Sequence, residues 1–184
     1  IFYAKMLEKS GGGKIFIELA MACVGHVRGG PAKVAVVASC LFGSISGSPV
    51  ANVAGTGTFT IPLMKKIGYR PTFAGAVEAV ASTGGQFMPP VMGASAFLIA
   101  EVLGMSYWNV AVCALIPALL YYIALFMMVD LEAARTGLSG VPKSELPNAW
   151  EILKNGWPAL ISPVVLILLL AVMQWSPSKA VVWA

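Results

Sequence analysis

The chain has 184 residues, of which 58% are hydrophobic and only 11% charged, and its formal net charge is +4. A soluble domain carries about 25% charged residues, so this chain lacks the groups that keep a surface in water and reads as an integral membrane protein. Its basic residues stand in short clusters between apolar runs, which is the pattern of membrane topology and argues against nucleic-acid binding.

The three cysteines, Cys23, Cys40 and Cys113, lie inside apolar segments at no metal-ligand spacing and read as free thiols. His26 is the single histidine, so a histidine-based metal site or catalytic triad has little to build on. The opening IFYAKMLEKSGGGK carries no initiator methionine and no signal peptide, and it reads as entering a longer protein part-way.

One helix is expected over 14–27, between the GGG at 11–13 and the RGGP at 28–31. From Pro31 the pattern AKVAVVASCLF predicts a helix opened by proline near its first turn, and GSISGSP interrupts it. A second arm runs from Val50 to Lys65 and ends at KKIGYRP, with no charged residue between Lys33 and Lys65. A dozen helical residues rise about 18 Å, which reaches mid-bilayer and no further. Arg28 and Lys33 precede the two arms and Lys65, Lys66 and Arg70 follow them, so both ends are expected on the cytoplasmic side. Residues 31–66 are therefore expected to form a re-entrant hairpin with GSISGSP at its tip.

Residues 72–83 and 91–103 are each too short to span, and GGQFMPP lies between them at 84–90. Its prolines remove backbone donors and its glycines loosen the chain, which predicts one discontinuous transmembrane helix over 71–104. Residues 107–129 form an uninterrupted span opened by Tyr107 and Trp108, residues suited to a membrane interface. A polar connecting segment is expected over 130–155, followed by a last span over 156–176. Two interrupted elements in succession are the recurrent site architecture of secondary transporters, where helix ends supply partial charge and unwound carbonyls bind cations.

Each candidate has a plainer reading. Gly43 and Gly47 stand four apart, which suits close helix packing. A packing face does not need Ser44, Ser46, Ser48, Pro49 and Asn52 as well. A phosphate-binding loop fails, because no Gly-Lys-Ser/Thr follows and no strand precedes. Glu78 is an ionisable residue within a membrane helix and so a functional candidate; alternatively it meets water, since Arg70 is only two turns away. Ser82 and Thr83 directly precede Gly84 and suit the lining of a site, whereas Met88, Met92 and Phe97 read as packing.

LFGSISGSPVANVAGTGTFTIPLMKKIGY resembles the signature hairpin of the large membrane subunit of the tripartite ATP-independent periplasmic (TRAP) transporters. EAVASTGGQFMPPVMGASAFLIAE is similar to the broken helix that follows it, and ALIPALLYYIALFMMVDLEA to the next span. The wording is closest to the fused-permease kind often paired with TAXI-type binding proteins. The likeness covers residues 1 to about 145 and extends toward the end of the chain.

This resemblance implies an all-α membrane fold of the ion-transporter type, in which residues 1–30 end an N-terminal scaffold region, the re-entrant hairpin and discontinuous helix belong to the first of two inverted repeats, and the span over 156–176 begins the next. It implies import of organic carboxylates by an elevator-type movement, with a periplasmic substrate-binding protein and a small membrane subunit, separate or fused, as partners. Sodium or protons would be the coupling ion; no other cofactor and no enzymatic activity are implied. The place would be the cytoplasmic (inner) membrane of a bacterium or archaeon, crossed several times. Matched to this chain, Ser46, Gly47, Ser48 and Asn52 would face Ser82, Thr83, Gly84 and Gly85 as the substrate and ion site. Sodium would lie at Ser48, Asn52, Thr83 and Gly84, or Glu78 would couple protons. Pro49 stands where many relatives have alanine, which suggests a stiffer tip. With one repeat present, only half of a site is expected.

Two other classes of function compete. A channel-like or structural subunit would use the hairpin as a re-entrant selectivity loop, but such filters repeat across identical subunits and this tip is asymmetric. An intramembrane enzyme would need catalytic pairs at depth, and none is found in the sequence.

Overall fold

The computed structural model describes residues 12–142 and 146–171. All regular structure among the described residues is helical. The first eleven residues of the expected scaffold region, and residues 172–176 of the expected last span, lie outside the described residues.

Helix α1 spans Gly12–Val24. Helix α2, Gly30–Ser46, starts where Gly29 adopts a left-handed φ of 67° and Pro31 presets the first turn, and it stops at Gly47 with φ 60°. After Ser48 the chain turns back through one turn of α3, Pro49–Asn52, a π-helical segment Val53–Gly57, and α4, Thr58–Ile67. Ser39 then meets Thr56, Phe42 meets Gly55 and Gly43 meets Asn52. The two arms are thus antiparallel, a helical hairpin.

Helix α5, Pro71–Thr83, runs into a 3₁₀ turn at Gly84–Gln86 and then irregular backbone, and α6 resumes at Ala94–Leu103. Helix α7, Tyr107–Thr136, has 30 residues and is long and apolar enough to cross a membrane. Its buried stripe includes Ala118, Tyr122, Leu125, Val129 and Ala133, while Val112, Ile116, Leu120 and Ile123 are exposed on the other side. A helix apolar all round suits a core or a bilayer. Helix α8 spans Ala149–Ala171.

Helical structure does not end where the apolar runs end. Helix α7 continues past 129 to Thr136 and α8 opens at Ala149, so the polar segment of 130–155 is helical at both of its ends. Backbone hydrogen bonding continues through Leu131–Arg135, residues of good helix propensity apart from their polarity, until Gly137 turns left-handed at φ 68°.

The core joins both hairpin arms, α5 and α7: Ala32, Ala35 and Val36 pack with Met64, Val77, Ala81, Tyr122 and Val129. Alanines on the facing helices allow close approach. At the base of the hairpin, Lys33 Nζ lies 2.5 Å from Asp130 Oδ1 and 4.9 Å from the centre of the Phe126 ring. The Arg28 guanidinium pairs with the other Asp130 oxygen. Asp130 lies beyond the apolar run 107–129, and hydrogen bonds from Arg28 and Lys33 hold its carboxyl down at about 2.

Candidate functional site

The two helix interruptions meet backbone to backbone. A Cβ on Gly43 would stand 2.7 Å from Gly85 Cα, and one on Gly85 would stand 2.7 Å from Gly43 Cα. One turn further, Val91 N donates to Ser44 O at 3.0 Å, and a Cβ on Gly47 would collide with the Met92 carbonyl. Only glycine allows such approach, and Gly47 also needs the left-handed conformation that bulkier residues resist.

Breaking α5 from α6 frees backbone carbonyls that hydrocarbon cannot satisfy. Tyrosines of α7 hold the backbone at this end: Tyr121 Oη donates to Val80 O at 2.8 Å and Tyr122 Oη to Ala81 O at 3.0 Å. Tyr107 Oη donates to Pro90 O at 2.9 Å and also reaches Val91 O. The interruption is therefore held in a defined shape.

Ser46 is buried, and its Oγ is the one buried side-chain polar atom among the described residues without a hydrogen-bond partner. Ser48 caps α3, accepting from Ala51 N at 3.4 Å. Asn52 is fully buried; its Nδ2 donates to Ser39 O at 2.8 Å and its Oδ1 lies 3.3 Å from Thr56 Oγ1.

The residues of the broken helix point in four different directions. Ser82 Oγ donates to Glu78 Oε1 at 3.3 Å. Thr83 is exposed, and its Oγ1 donates back to Ala79 O at 2.8 Å. Gly84 faces α7, where a Cβ would stand 2.7 Å from Tyr122 Oη, and Gly85 faces Gly43. Successive residues of a helical turn are rotated by about 100–120°, so adjacent residues do not line one cavity. The structure accordingly does not gather Ser48, Asn52, Thr83 and Gly84 around one ion, and the tip glycine Gly47 meets Met92 rather than 83–85.

Glu78 is 0% exposed, which removes the water-facing reading of this residue. Thr56 Oγ1 lies 2.5 Å from its Oε1 and Thr60 Oγ1 2.5 Å from its Oε2. Ser39 Oγ donates to Oε1 at 3.4 Å, beside the Ser82 contact. Ser39, Thr56 and Thr60 are absent from the set read off the sequence. Their signal is the four-residue spacing of Asn52, Thr56 and Thr60 on one arm, a helical polar stripe within an otherwise uncharged run. The π-helical segment at Val53–Gly57 sets which way that stripe faces, and such segments are frequent at functional sites.

A model of the family "Tripartite ATP-independent periplasmic transporter, DctM component" matches residues 1–184. The sialic acid TRAP transporter large permease protein of Vibrio cholerae is 27% identical over 175 residues, covering 95% of this chain and 40% of that protein. The C4-dicarboxylate TRAP transporter large permease protein of Pseudomonas aeruginosa is 32% identical over 152 residues, covering 82% of this chain and 35% of that protein. The 2,3-diketo-L-gulonate TRAP transporter large permease protein of Escherichia coli is 27% identical over 168 residues, covering 91% and 39%. The chain thus spans about 40% of the length of the curated relatives it matches.

Proposed function

Because the chain belongs to the DctM component family of the tripartite ATP-independent periplasmic transporters, we propose that it forms half of the substrate and ion site of a permease importing organic carboxylates. In this reading the hairpin is re-entrant from the cytoplasmic side of a bacterial inner membrane, and α5 with α6 is the broken helix of the same repeat. A periplasmic binding protein delivers the substrate, a small membrane subunit completes the scaffold, and a sodium or proton gradient drives an elevator-type movement. Sialic acid, C4-dicarboxylates and 2,3-diketo-L-gulonate, named for the relatives, are all carboxylates, which is the proposed substrate class.

The observation that supports this reading best is the pairing of the two interruptions, Gly43 on Gly85 and Gly47 on Met92, around a buried Ser46 hydroxyl with no partner. A buried polar atom without a partner costs about 1–3 kcal/mol, a cost that a ligand bound there would offset. Helix α6 opens at Ala94 beside this tip, and the free N–H groups and positive dipole end of a helix N-terminus suit a carboxylate. Ser46, Gly47 and Gly85 are the residues assigned to the site on this basis, with Ser48 and Asn52 shaping the tip.

The test is uptake into proteoliposomes by a permease of full family length carrying this segment, with its binding protein, under imposed ion gradients. Ser46→Ala is expected to raise the ion or substrate concentration needed for half-maximal uptake while the protein still inserts. Unchanged dependence on both would remove Ser46 from the site. Topology is tested separately with single cysteines at Arg28 and Lys66, which should both react with reagent from the cytoplasm only. Labelling from opposite sides would end the re-entrant reading.

A further inference from the structure

We infer that Glu78 is a reversible proton site, caged by the hydroxyls of Ser39, Thr56, Thr60 and Ser82, and that this proton ties the packing of the hairpin on the broken helix to a pH gradient. The inference rests on the transporter reading above and gives it a coupling ion and a place for that ion, apart from the hairpin tip.

Position is the first support. The cage draws Ser39 from α2, Thr56 from the π-helical segment, Thr60 from α4 and Ser82 from α5. A change of charge at Glu78 is therefore felt by both hairpin arms and the first half of the broken helix together.

Charge is the second. Glu78 is 0% exposed and forms no ion pair among the described residues. An ionised carboxylate buried without a counter-charge is too costly to persist, and hydroxyls supply dipoles but no net charge. The charged and titratable groups on the surrounding elements are engaged elsewhere. Lys33 of α2 pairs with Asp130, Cys40 packs into the apolar core, Lys65 and Lys66 of α4 are exposed, and Tyr121 and Tyr122 of α7 donate to Val80 O and Ala81 O. Among the described residues no cation is left to neutralise Glu78.

The contacts of the cage suit a proton as the neutralising charge. A metal ion stands between its oxygens, about 2.3–2.6 Å from each for a cation as large as calcium, and so holds them apart. Here each carboxyl oxygen already touches a threonine hydroxyl at 2.5 Å. The hydroxyl protons have other acceptors four residues back: Thr56 Oγ1 lies 2.8 Å from Asn52 O and Thr60 Oγ1 3.1 Å from Thr56 O. A neutral carboxyl has a single O–H, which donates to one threonine oxygen whose own proton is spent on its carbonyl, while the other threonine donates to the remaining carboxyl oxygen. The step balances simply. On loading, a proton from water forms an O–H bond on Glu78; on release that bond breaks, water takes the proton, and the carboxylate needs water or an opened cage.

The experiment uses the full-length permease with its binding protein in proteoliposomes, under a pH gradient without sodium and a sodium gradient at equal pH. In the wild type an inside-alkaline gradient should drive accumulation, by about tenfold per pH unit for each proton carried. Glu78→Gln, which keeps size and hydrogen-bonding capacity, should abolish that dependence. Undiminished pH-driven accumulation in Glu78→Gln, or wild-type accumulation that follows sodium alone, would overturn the inference. Infrared difference spectra of the purified wild type keep the test decisive if Glu78→Gln does not fold. A protonated-carboxyl C=O band that appears and disappears over the pH range of transport supports the site, and its absence overturns it. A wild type that accumulates no carboxylate under any gradient counts against the transporter reading instead, and the infrared band still judges Glu78 on its own.

Discussion

Lys33 and Glu78 lie on neighbouring elements of one bundle, 5% and 0% exposed, and they are the two charged side chains buried among the described residues. Lys33 has an opposite charge at 2.5 Å in Asp130, with an aromatic ring beneath it. Glu78 has four hydroxyls and, among the described residues, no cation. A fixed counter-charge makes the first a permanent fastening between the hairpin base and α7. Its absence leaves the second open to a charge that comes and goes. The contrast separates a structural ion pair from an exchangeable site by composition of the surroundings alone.

The sharpest way to break the contrast is to remove the counter-charge. Asp130→Asn leaves Lys33 buried without its anion, and loss of one partner of a buried pair is far more damaging than loss of both. It should lower Tm, measured by thermal unfolding in detergent, more than any single change at Gly43, Gly85, Ser46 or Thr83. Lys33→Met combined with Asp130→Leu should recover much of the loss. A single variant as stable as the wild type would mean that the pair fastens nothing. The same pair predicts an acid limit. The Asp130 carboxyl is held at about 2 in the folded chain against an ordinary value of 3.8. A depressed carboxyl stabilises fully above its unfolded value and loses that contribution as pH falls through the folded one. The stabilisation should therefore fade between about pH 4 and pH 2, and Asp130→Asn should flatten that part of the Tm profile.

Next in size is the packing on which both charges depend. Gly85→Ala and Gly43→Ala each place a Cβ 2.7 Å from the other glycine's Cα, and backbone cannot yield as a flexible side chain does. Each should cost about 1–3 kcal/mol, the usual penalty of overpacking, read from unfolding in detergent. Both changes together should cost less than their sum, since one displacement relieves both clashes. Strict additivity would show that the two glycines do not share a contact.

The sequence and the structure agree most where long runs of residues carry the signal. All-helical membrane character is legible in the long uncharged stretches, and the family in the quoted hairpin and broken-helix wording. Pairings across the chain are not legible. Lys33 reads as a cytoplasmic flank charge until Asp130, 97 residues away, is seen beside it. Ser39, Thr56 and Thr60 are ordinary hydroxyls in apolar helices until the hairpin closes and the π-helical segment turns two of them toward Glu78. Ser82, Thr83, Gly84 and Gly85 look like one lining strip in sequence, but a helical turn sends them to Glu78, to the exterior, to Tyr122 and to Gly43.

Ser46→Ala should move stability little, by less than about 0.5 kcal/mol or slightly upward, because no hydrogen bond is lost and an unpartnered polar atom is removed. Its effect should appear in ligand dependence instead. A marked loss of stability would mean that Ser46 has a structural partner and would weaken its place in the site.

The smallest effect is expected at Thr83, and it tests the directions of the broken helix. The side chain is exposed and its hydroxyl donates to Ala79 O in its own helix. Such back-bonding only duplicates what the helix already supplies and often slightly destabilises it. Thr83→Ala should therefore change stability by no more than about 0.5 kcal/mol, the range of ordinary surface substitutions, and leave ion and substrate dependence of uptake as in the wild type. Ser82→Ala, one residue away, removes a hydroxyl 3.3 Å from Glu78 and should shift the pH profile of uptake. Measured side by side in proteoliposomes, the two variants each lose one hydroxyl, facing Glu78 in one and the exterior in the other. Equal effects, or a larger effect at Thr83 on sodium dependence, would show that the broken helix turns in the working transporter and brings Thr83 inward.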